Sequence, residues 1–370
     1  MTWSIPLGRV LGTEIRLHLT FLLLLAWIAV AHGMKGGAPA AVTGVVFICL
    51  LFGCVLLHEF GHVLAARRYG IATPDITLLP IGGVARLERI PENPSEELVV
   101  ALAGPAVNVV IALLLLLLLG GVPPMEALAS PEDVDHPLLA RLFWVNVTLV
   151  VFNLIPAFPM DGGRVLRALL GYRMGHRRAT EIAASVGQVL AFGLGFLGLL
   201  GGAPLLVFVA LFVWLGAGAE SQAVRARDMA RGMIAADAMM TRFETLPVTA
   251  PLSQAVEMLI RTAQTDFPVV DGGGRLRGIL TRTDLVRALQ EKGPDGPVLE
   301  AMQREVPEVP HRVPLDQAMQ AMQAASGPVA VVDGSGRLVG LLTQENLGEL
   351  LMVEAARAAS RPANPWAARP

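Results

Sequence analysis

The 370-residue sequence has little charge: only 16% of its residues are Asp, Glu, Lys or Arg, while 54% are hydrophobic. Soluble globular domains carry about 25% charged residues, so this composition indicates a membrane protein. Aromatic residues are scarce at 5%, and the formal net charge is −2. Because no stretch combines dense basic residues with interleaved aromatics, the sequence argues against binding to nucleic acid.

Cysteine is also scarce, since the chain contains only Cys49 and Cys54. The two lie five positions apart in one apolar segment, where a helix would point them to different faces and strain a disulfide. We interpret both as small core residues. The N-terminal segment shows no convincing small-residue cleavage site after its apolar run, so no removed signal peptide is expected.

Long apolar runs are abundant upstream of residue 225. They cover residues 19–31, 39–57, 98–122, 142–160 and 182–219. A membrane-spanning helix needs about 20 residues, and the last run is long enough for two helices that Gly-Gly-Ala-Pro at 201–204 would separate. The pattern therefore predicts six spans within residues 1–224.

Basic residues predict the orientation of these spans, because short cytoplasmic loops are enriched in Lys and Arg. With the N-terminus inside, the outer loops receive only Lys35, and the 123–138 loop is acidic. The inner loops receive Arg67, Arg68, Arg86, Arg89, Arg164, Arg167, Arg173, Arg177 and Arg178. We therefore expect a multi-pass protein of the plasma membrane whose two termini are cytoplasmic.

Residues 71–97 are neither a span nor an ordinary polar loop. Apolar residues alternate at Ile76, Leu78, Val84 and Leu87 around a pair of glycines, which predicts a β-hairpin or a re-entrant segment beside the second span. A plain surface hairpin is the alternative. An exposed sheet edge near the membrane could bind an extended peptide by strand addition.

Downstream of residue 233 the chain becomes a soluble α/β sequence that repeats itself. Residues 267–285 match residues 328–347 at an offset of 62, aligning Asp271 with Asp333 and Thr281 with Thr343. Each copy has the pattern of a helix, a strand, a Gly-rich turn, a second strand and a second helix. We predict a linker at 225–236, copies at 237–292 and 298–355, and a disordered Pro- and Ala-rich tail at 356–370.

His58, Glu59 and His62 form a His-Glu-x-x-His motif at the end of the second apolar run. On a helix the two histidines share a face, a spacing that suits two zinc ligands, with the glutamate as the general base toward water. Ionisable groups inside a span are costly and usually mark function. The motif therefore predicts a zinc hydrolase site.

Asp161 is the best candidate for a third ligand. It follows an apolar run on the same predicted side of the membrane, where prolines and glycines break the helix in a way that a water-accessible cavity would tolerate. A simple interfacial carboxylate is the alternative. The other histidines lie at span ends, in loops or in the soluble region, and we expect none of them to bind the metal: His18, His32, His136, His176 and His311.

Three motifs in this order resemble the site-2 protease family of intramembrane zinc metalloproteases. They are His-Glu-x-x-His at 58–62, Gly-Pro-Ala-Val-Asn at 104–108, and Asn-x-x-Pro-x-x-Pro-x-Asp-Gly-Gly at 153–163. Met160 is a small departure, since the family commonly has Leu there. The duplicated segment resembles a pair of cystathionine-β-synthase-type (CBS) modules. The resemblance, which covers nearly the whole chain, implies a polytopic α-helical membrane domain with a re-entrant β-hairpin, followed by a soluble α/β tandem CBS pair.

The resemblance implies one zinc ion held by His58, His62 and Asp161, with Glu59 as general base. The substrate would be a transmembrane segment of another membrane protein, cleaved within the lipid bilayer. The resemblance also suggests that Asn108 and Asn153 hold the substrate backbone or the oxyanion. A helix–helix hydrogen bond is the alternative for each asparagine.

CBS pairs commonly bind adenosine nucleotides at Thr-x-x-Asp motifs, which implies ATP, ADP or AMP as a regulatory ligand. Thr281 and Asp284 keep the motif in the first copy, whereas Thr343 is followed by Asn346 in the second. The amide lacks the charge that strengthens a hydrogen bond to a ribose hydroxyl, so one competent site at Asp284 is expected. A rigid platform that forms a homodimer is the alternative.

CBS pairs also occur on ion channels and transporters, so a CBS-regulated ion channel or transporter is the alternative function. Intramembrane ionisable residues would then serve an ion path. A glutamate between two histidines, with an aspartate on a separate span, favours a zinc hydrolase instead. An inactive zinc-bound scaffold would be expected to lose Glu59, which this chain retains.

Overall fold

The computed structural model describes residues 3–89, 91–129, 137–325 and 327–360. The chain divides into two compact units at the boundary between Val224 and Arg225. The first unit consists of long helices and one sheet, and the second of two small α/β repeats.

Helices dominate the first unit. In chain order they are α1 Leu19–Arg68, α2 Pro94–Leu119, α3 Glu126–Ala129, α4 Leu138–Asn153, α5 Asp161–Met174, α6 His176–Leu200 and α7 Pro204–Ala230. Local sequence accounts for their ends: Asn93 caps α2 through a bond from the Ser95 amide, and Gly120 ends α2 in the left-handed conformation. Inside α1, Gly36 and Gly37 leave the helical conformation and so bend the segment between two predicted spans.

Within the described residues, α1, α2, α6 and α7 are each long and apolar enough to cross a membrane, and α4 is a shorter apolar helix of 16 residues. Many of their large apolar side chains are exposed, including Leu117, Phe192, Leu199 and Leu200, as expected of helices that face lipid. The first unit is thus a helical apolar region with several candidate membrane helices. The count of six spans remains a prediction.

A four-stranded sheet lies beside α1, with strands in the order β1-β2-β3-β4. The strands are β1 Ser4–Val10, β2 Thr13–His18, β3 Asp75–Leu79 and β4 Gly82–Arg86. β3 and β4 form an antiparallel hairpin within the predicted segment, and β2 pairs with β3 in parallel. β1 and β2 were not predicted, because Pro6, Gly8 and Gly12 interrupt the alternation. That this hairpin re-enters the membrane remains a prediction.

The second unit repeats one fold. Its elements are α8 Ala235–Ala238, β5 Leu246–Pro247, α9 Leu252–Arg261, β6 Asp266–Val270, β7 Leu276–Thr281 and α10 Arg282–Lys292, then β8 Glu308–Pro310, α11 Leu315–Ala325, β9 Val329–Val332, β10 Leu338–Leu342 and α12 Gln344–Ser360. Each copy has a three-stranded sheet with one parallel and one antiparallel pair. Separate apolar clusters form around Phe267 and Val331.

Three predictions need comment. Helix α7 runs to Ala230 and takes in half of the predicted linker. Helix α12 runs to Ser360 and takes in residues 356–360 of the predicted disordered tail, because Ala and Arg favour helix; residues 361–370 lie outside the described part. Both cysteines are free, but Cys49 is exposed. Its interpretation as a core residue is therefore wrong, since it lies on the outward face of α1.

Candidate active site

His58 and His62 lie one turn apart on α1 and point toward α2. Both are buried, at 6% and 4% exposure. The helices approach closely here because Gly104 of α2 has no side chain: a Cβ at this position would overlap the Nε2 atoms of both histidines. Gly61 has the same role on α1, since its Cβ would lie 2.6 Å from the Ala103 carbonyl oxygen. The glycines thus create the space that the two rings occupy.

Asp161 reaches the histidines from the start of α5. After α4 ends at Asn153, the backbone of residues 154–160 folds back over the first turn of α5. A Cβ on Gly163 would lie 2.6 Å from the Phe158 nitrogen, and one on Gly162 would overlap the Ile155 carbonyl oxygen. The Asp-Gly-Gly sequence is therefore required for this return of the chain, which directs the Asp161 carboxylate inward.

The three side chains converge on one point. Asp161 Oδ2 lies 3.1 Å from the Nε2 atoms of both His58 and His62, and the two nitrogens are 3.1 Å apart. Each histidine uses its Nδ1 elsewhere: His58 toward Asn108 Oδ1 at 2.5 Å and His62 toward the Val100 carbonyl oxygen at 2.7 Å. A neutral ring that donates through Nδ1 presents an unprotonated Nε2, and two such lone pairs would repel each other and the carboxylate without a cation between them.

This donor set fits zinc. Two imidazole nitrogens and one carboxylate oxygen are a ligand combination of catalytic zinc sites, which keep a further position open for water. Among the described residues, His58, His62 and Asp161 form the one group of three or more His, Cys, Asp or Glu side chains with metal-binding geometry. His18, His32, His176 and His311 lie apart from the group, and His136 is outside the described residues.

A cavity of about 350 Å³ opens beside the three ligand candidates. Glu59, Asn153 and Arg164 line it together with residues of β4. Gly83 of β4 passes directly over Glu59, because a Cβ on Gly83 would lie 2.7 Å from Glu59 Cγ. The site thus combines a three-residue donor set for a metal, the Glu59 carboxylate and an edge strand around one space.

The two asparagines have different surroundings. Asn108 is fully buried, accepts from His58 Nδ1 and donates to Asn146 Oδ1 at 2.8 Å. Both ends of its amide are therefore bonded to protein groups, which agrees with the helix–helix alternative. Asn153 is half-buried, lines the cavity and donates to the Leu149 carbonyl oxygen.

Several residues near the site were not predicted as site residues. Arg164 entered the sequence argument only through its charge, although its place one helical turn after Asp161 was a usable signal. Asn146 gave no signal, because its neighbours are close only in three dimensions. The contacts of the buried Arg167 also gave no sequence signal. Its guanidinium donates to Glu97 at 2.6 Å and to Glu220 at 2.5 Å, and it lies over the Phe158 ring. This network joins α2, α5 and α7.

In the second unit, the two repeats carry the predicted motifs at helix starts. Thr281 Oγ1 donates to Asp284 Oδ2 at 2.6 Å, and Gln303 donates to the same oxygen at 2.7 Å. Thr343 Oγ1 lies 2.6 Å from Asn346 Oδ1 in the second copy. Each threonine also caps its helix by accepting from the amide three residues on.

A cavity of about 530 Å³ lies beside Thr343 and Asn346. Four carboxylates and one arginine line it: Glu244, Asp266, Glu345, Glu349 and Arg242. Burial raises the pKa of the Asp266 carboxyl above its ordinary value, and the negative charge of Glu345 acts in the same direction. The charged side chains of the lining are therefore predominantly acidic.

Comparison with known proteins identifies the family to which this chain is similar. Peptidase family M50 matches residues 46–132 and 123–194, and the CBS domain matches 235–291 and 298–352. A zinc metalloprotease of Methanocaldococcus jannaschii is 34% identical over 347 residues, covering 94% of this chain and 96% of that protein. Stage IV sporulation protein FB of Bacillus subtilis is 29% identical over 158 residues, or 42% of this chain and 49% of that protein.

Among solved structures, a site-2 protease from Methanocaldococcus jannaschii matches 59% of this chain and 95% of its own at 38% identity, with a TM-score of 0.44. The family match and the similarity over nearly the full length confirm the resemblance found in the motifs. The chain belongs to peptidase family M50 and is a zinc metalloprotease with a tandem CBS pair.

Proposed function

We propose that this protein cleaves peptide bonds in transmembrane segments of other membrane proteins, with His58, His62 and Asp161 as zinc ligands and Glu59 as general base. The observation that carries the proposal is the convergence of three buried donor atoms beside Glu59, in a cavity between apolar helices. Ionisable side chains are costly to bury within a membrane domain, and those found there usually serve the function of the protein.

The residues of the chain account for the proton transfers. Zinc, when bound, is a Lewis acid that polarises the peptide carbonyl and makes water a better nucleophile. Glu59 accepts a proton from the water whose oxygen attacks the carbonyl carbon. It then donates this proton to the amide nitrogen as the C–N bond breaks, so that one group is base and then acid. His58, His62 and Asp161 would hold the zinc ion beside Glu59.

The substrate helix must unwind locally before cleavage, because its carbonyls are otherwise hydrogen-bonded within the helix. Strand β4 supports a place for the unwound segment. It is at the edge of the sheet, it lines the cavity, and its Gly83 lies against Glu59. An extended segment that adds to this edge would gain backbone hydrogen bonds and bring its carbonyls to the site. Asn153 also lines the cavity, and its side-chain oxygen can accept a hydrogen bond from the same segment.

The proposed setting is the plasma membrane, with both termini and the active-site end of α1 on the cytoplasmic side. The support is the asymmetry of basic residues: the predicted outer side holds only Lys35 and Arg141, whereas Arg67 and Arg68 lie just after His62 and further arginines lie on the inner side. Cleavage would then occur near the cytoplasmic surface of the bilayer.

We further propose that the CBS pair binds an adenosine nucleotide and that binding regulates substrate access. The support for a ribose-binding role of Asp284 is the Thr-x-x-Asp motif itself. The carboxylate is buried and bonded to Thr281, Gln303 and Arg287, so a ribose hydroxyl would have to displace one of these partners. The cavity beside Asn346 is less suited to a polyphosphate, because the carboxylates in its lining would repel phosphate oxygens.

The Glu59→Gln variant tests the protease proposal. It removes the base and no ligand, so the purified protein should keep one zinc per chain and lose hydrolysis of a transmembrane substrate in detergent. Asp161→Ala should lose zinc as well, as measured by elemental analysis. Appreciable turnover by Glu59→Gln, or stoichiometric zinc in Asp161→Ala, would contradict the assigned roles.

A further inference from the structure

Both histidines of the site need the same tautomer. Each directs Nε2 toward Asp161, so each must carry its proton on Nδ1 if Nε2 is to bind a metal. For His62 the partner of Nδ1 is the Val100 carbonyl oxygen at 2.7 Å. A backbone carbonyl can only accept a hydrogen bond. It therefore fixes the correct tautomer of His62 in a single step.

For His58 the partner is a side-chain amide, which is ambiguous. Asn108 presents Oδ1 to His58 Nδ1 at 2.5 Å. If the amide turned over, its NH₂ group would face Nδ1 instead, and the neutral ring would carry its proton on Nε2. That ring has no lone pair at Nε2 for a metal. The His58 half of the site therefore depends on what holds Asn108 in one orientation.

Asn146 of α4 supplies that constraint. Its Oδ1 accepts from Asn108 Nδ2 at 2.8 Å, while its Nδ2 donates to the Leu142 carbonyl oxygen at 2.9 Å and lies 3.4 Å from Cys54 Sγ. Since the Leu142 carbonyl can only accept, Asn146 must direct its NH₂ group there and its oxygen toward Asn108. Both asparagines are completely buried, so water does not compete for these bonds.

We propose that Asn146 is a positioning residue of the zinc site. It fixes the orientation of the Asn108 amide and, through it, the tautomer of His58. Because the Leu142 carbonyl can only accept, it sets the donor and the acceptor in each of the three hydrogen bonds that link it through Asn146 and Asn108 to the His58 ring. The proposal rests on the assignment of His58 as a zinc ligand. Asn146 is not one of the residues that line the cavity, and its side chain bonds to Asn108, Leu142 and Cys54 rather than to a ligand atom.

A double-mutant cycle on the full-length protein in detergent tests this role. Asn146→Leu is made in two backgrounds, the parent protein and the Asn108→Asp variant, and zinc affinity is measured by competition with a chelator. A carboxylate has two oxygens and no NH₂ group, so at position 108 it accepts from His58 whichever way it turns. Orientation by Asn146 then has no further effect on the ring.

In the parent background, Asn146→Leu should weaken zinc binding by about 10- to 100-fold, the usual cost of removing a partner behind a metal ligand. In the Asn108→Asp background, the same substitution should change the affinity by less than about threefold, because a carboxylate at 108 needs no orienting partner; this dependence on background is the sign of coupled residues. Cys54→Ala is the matched control: it removes a neighbour of Asn146 without changing the direction of any bond, and it should bind zinc like the parent protein.

An equal loss of affinity in both backgrounds would show that Asn146 only supports packing, and no loss in the parent background would also overturn the proposal. Should Asn146→Leu fail to fold, Asn146→Ala takes its place in the same cycle. His58→Ala separates this inference from the protease proposal: if that variant binds zinc as tightly as the parent protein, the ligand assignment fails, whatever the cycle gives.

Discussion

Gly83 of β4 lies against Glu59 so closely that a Cβ at position 83 would be 2.7 Å from Glu59 Cγ. Gly83→Ala should therefore push the Glu59 side chain out of place while leaving the three ligand candidates untouched. We expect full zinc content and a fall in kcat of about 100-fold, the order of loss for a displacement of about 1 Å. Activity on a transmembrane peptide and elemental analysis provide the two measurements.

Gly53→Ala is the matched control for this variant, since a Cβ at position 53 of α1 would meet nothing within 4 Å. It should retain both zinc and activity. Loss of zinc from Gly83→Ala would mean that the substitution disturbs the ligands, contrary to this prediction.

Gly104→Ala should abolish zinc binding itself. The added methyl group would overlap the Nε2 atoms of His58 and His62, and these are the atoms that face Asp161. Both rings are buried and bonded through Nδ1 to Asn108 and to the Val100 carbonyl, so neither can move away without breaking its hydrogen bond. Zinc per chain should fall close to zero, whereas Gly193→Ala, at an open position on α6, should keep it. Stoichiometric zinc in Gly104→Ala would refute the proposed ligand geometry.

Arg167→Ala should lower the stability of the first unit strongly. It would leave the buried Glu97 without the guanidinium that lies 2.6 Å away, and breaking a buried ion pair from one side costs about 3–5 kcal/mol. The midpoint of thermal unfolding in detergent should fall accordingly. Arg173→Ala, an exposed position on the same helix, should leave the midpoint within about 1–2 °C of the parent value, the effect of a neutral surface change. Equal midpoints for the two variants would exclude a structural role for the network.

The proposed orientation predicts which positions an impermeant thiol reagent reaches from outside intact cells. In a background without Cys49 and Cys54, a cysteine in place of Lys35 should be labelled, and cysteines in place of Arg173 or Glu300 should not. Opening the cells should make the latter two reactive. Labelling at position 300 from outside intact cells would contradict the proposed topology.

Nucleotide binding should depend more on the first CBS copy than on the second. Calorimetry on the full-length protein should detect binding of ATP, ADP or AMP, and Asp284→Ala should weaken it by about 10-fold or more, since a hydrogen bond to a charged group contributes about 1.5–3 kcal/mol. Asn346→Ala should change it much less. The reverse order, or no heat at millimolar nucleotide, would favour a purely structural CBS pair.

The sequence was informative wherever function is carried by a short pattern. Helical spacing was enough to bring His58 and His62 to one face, and the offset of 62 residues identified both repeats. The partners of these residues could not be predicted, because they are joined by contacts across helices. Asn146 is far from His58 along the chain. Strand β2 pairs with the distant β3, and β1 is added to the sheet by pairing with β2. Span counts rest on apolar length, which does not reveal that two runs share the bent segment α1.

The Val100 carbonyl has a consequence for how this site tolerates mutation. Main-chain oxygen is present whatever amino acid occupies position 100, so the support of His62 survives substitutions there that preserve α2. The support of His58 consists of two side chains, and a single codon change at position 108 or 146 can remove it. Inactivating changes that leave His-Glu-x-x-His intact should therefore accumulate on one half of the metal site, and a survey of random loss-of-function variants would recover the asparagines far more often than the valine.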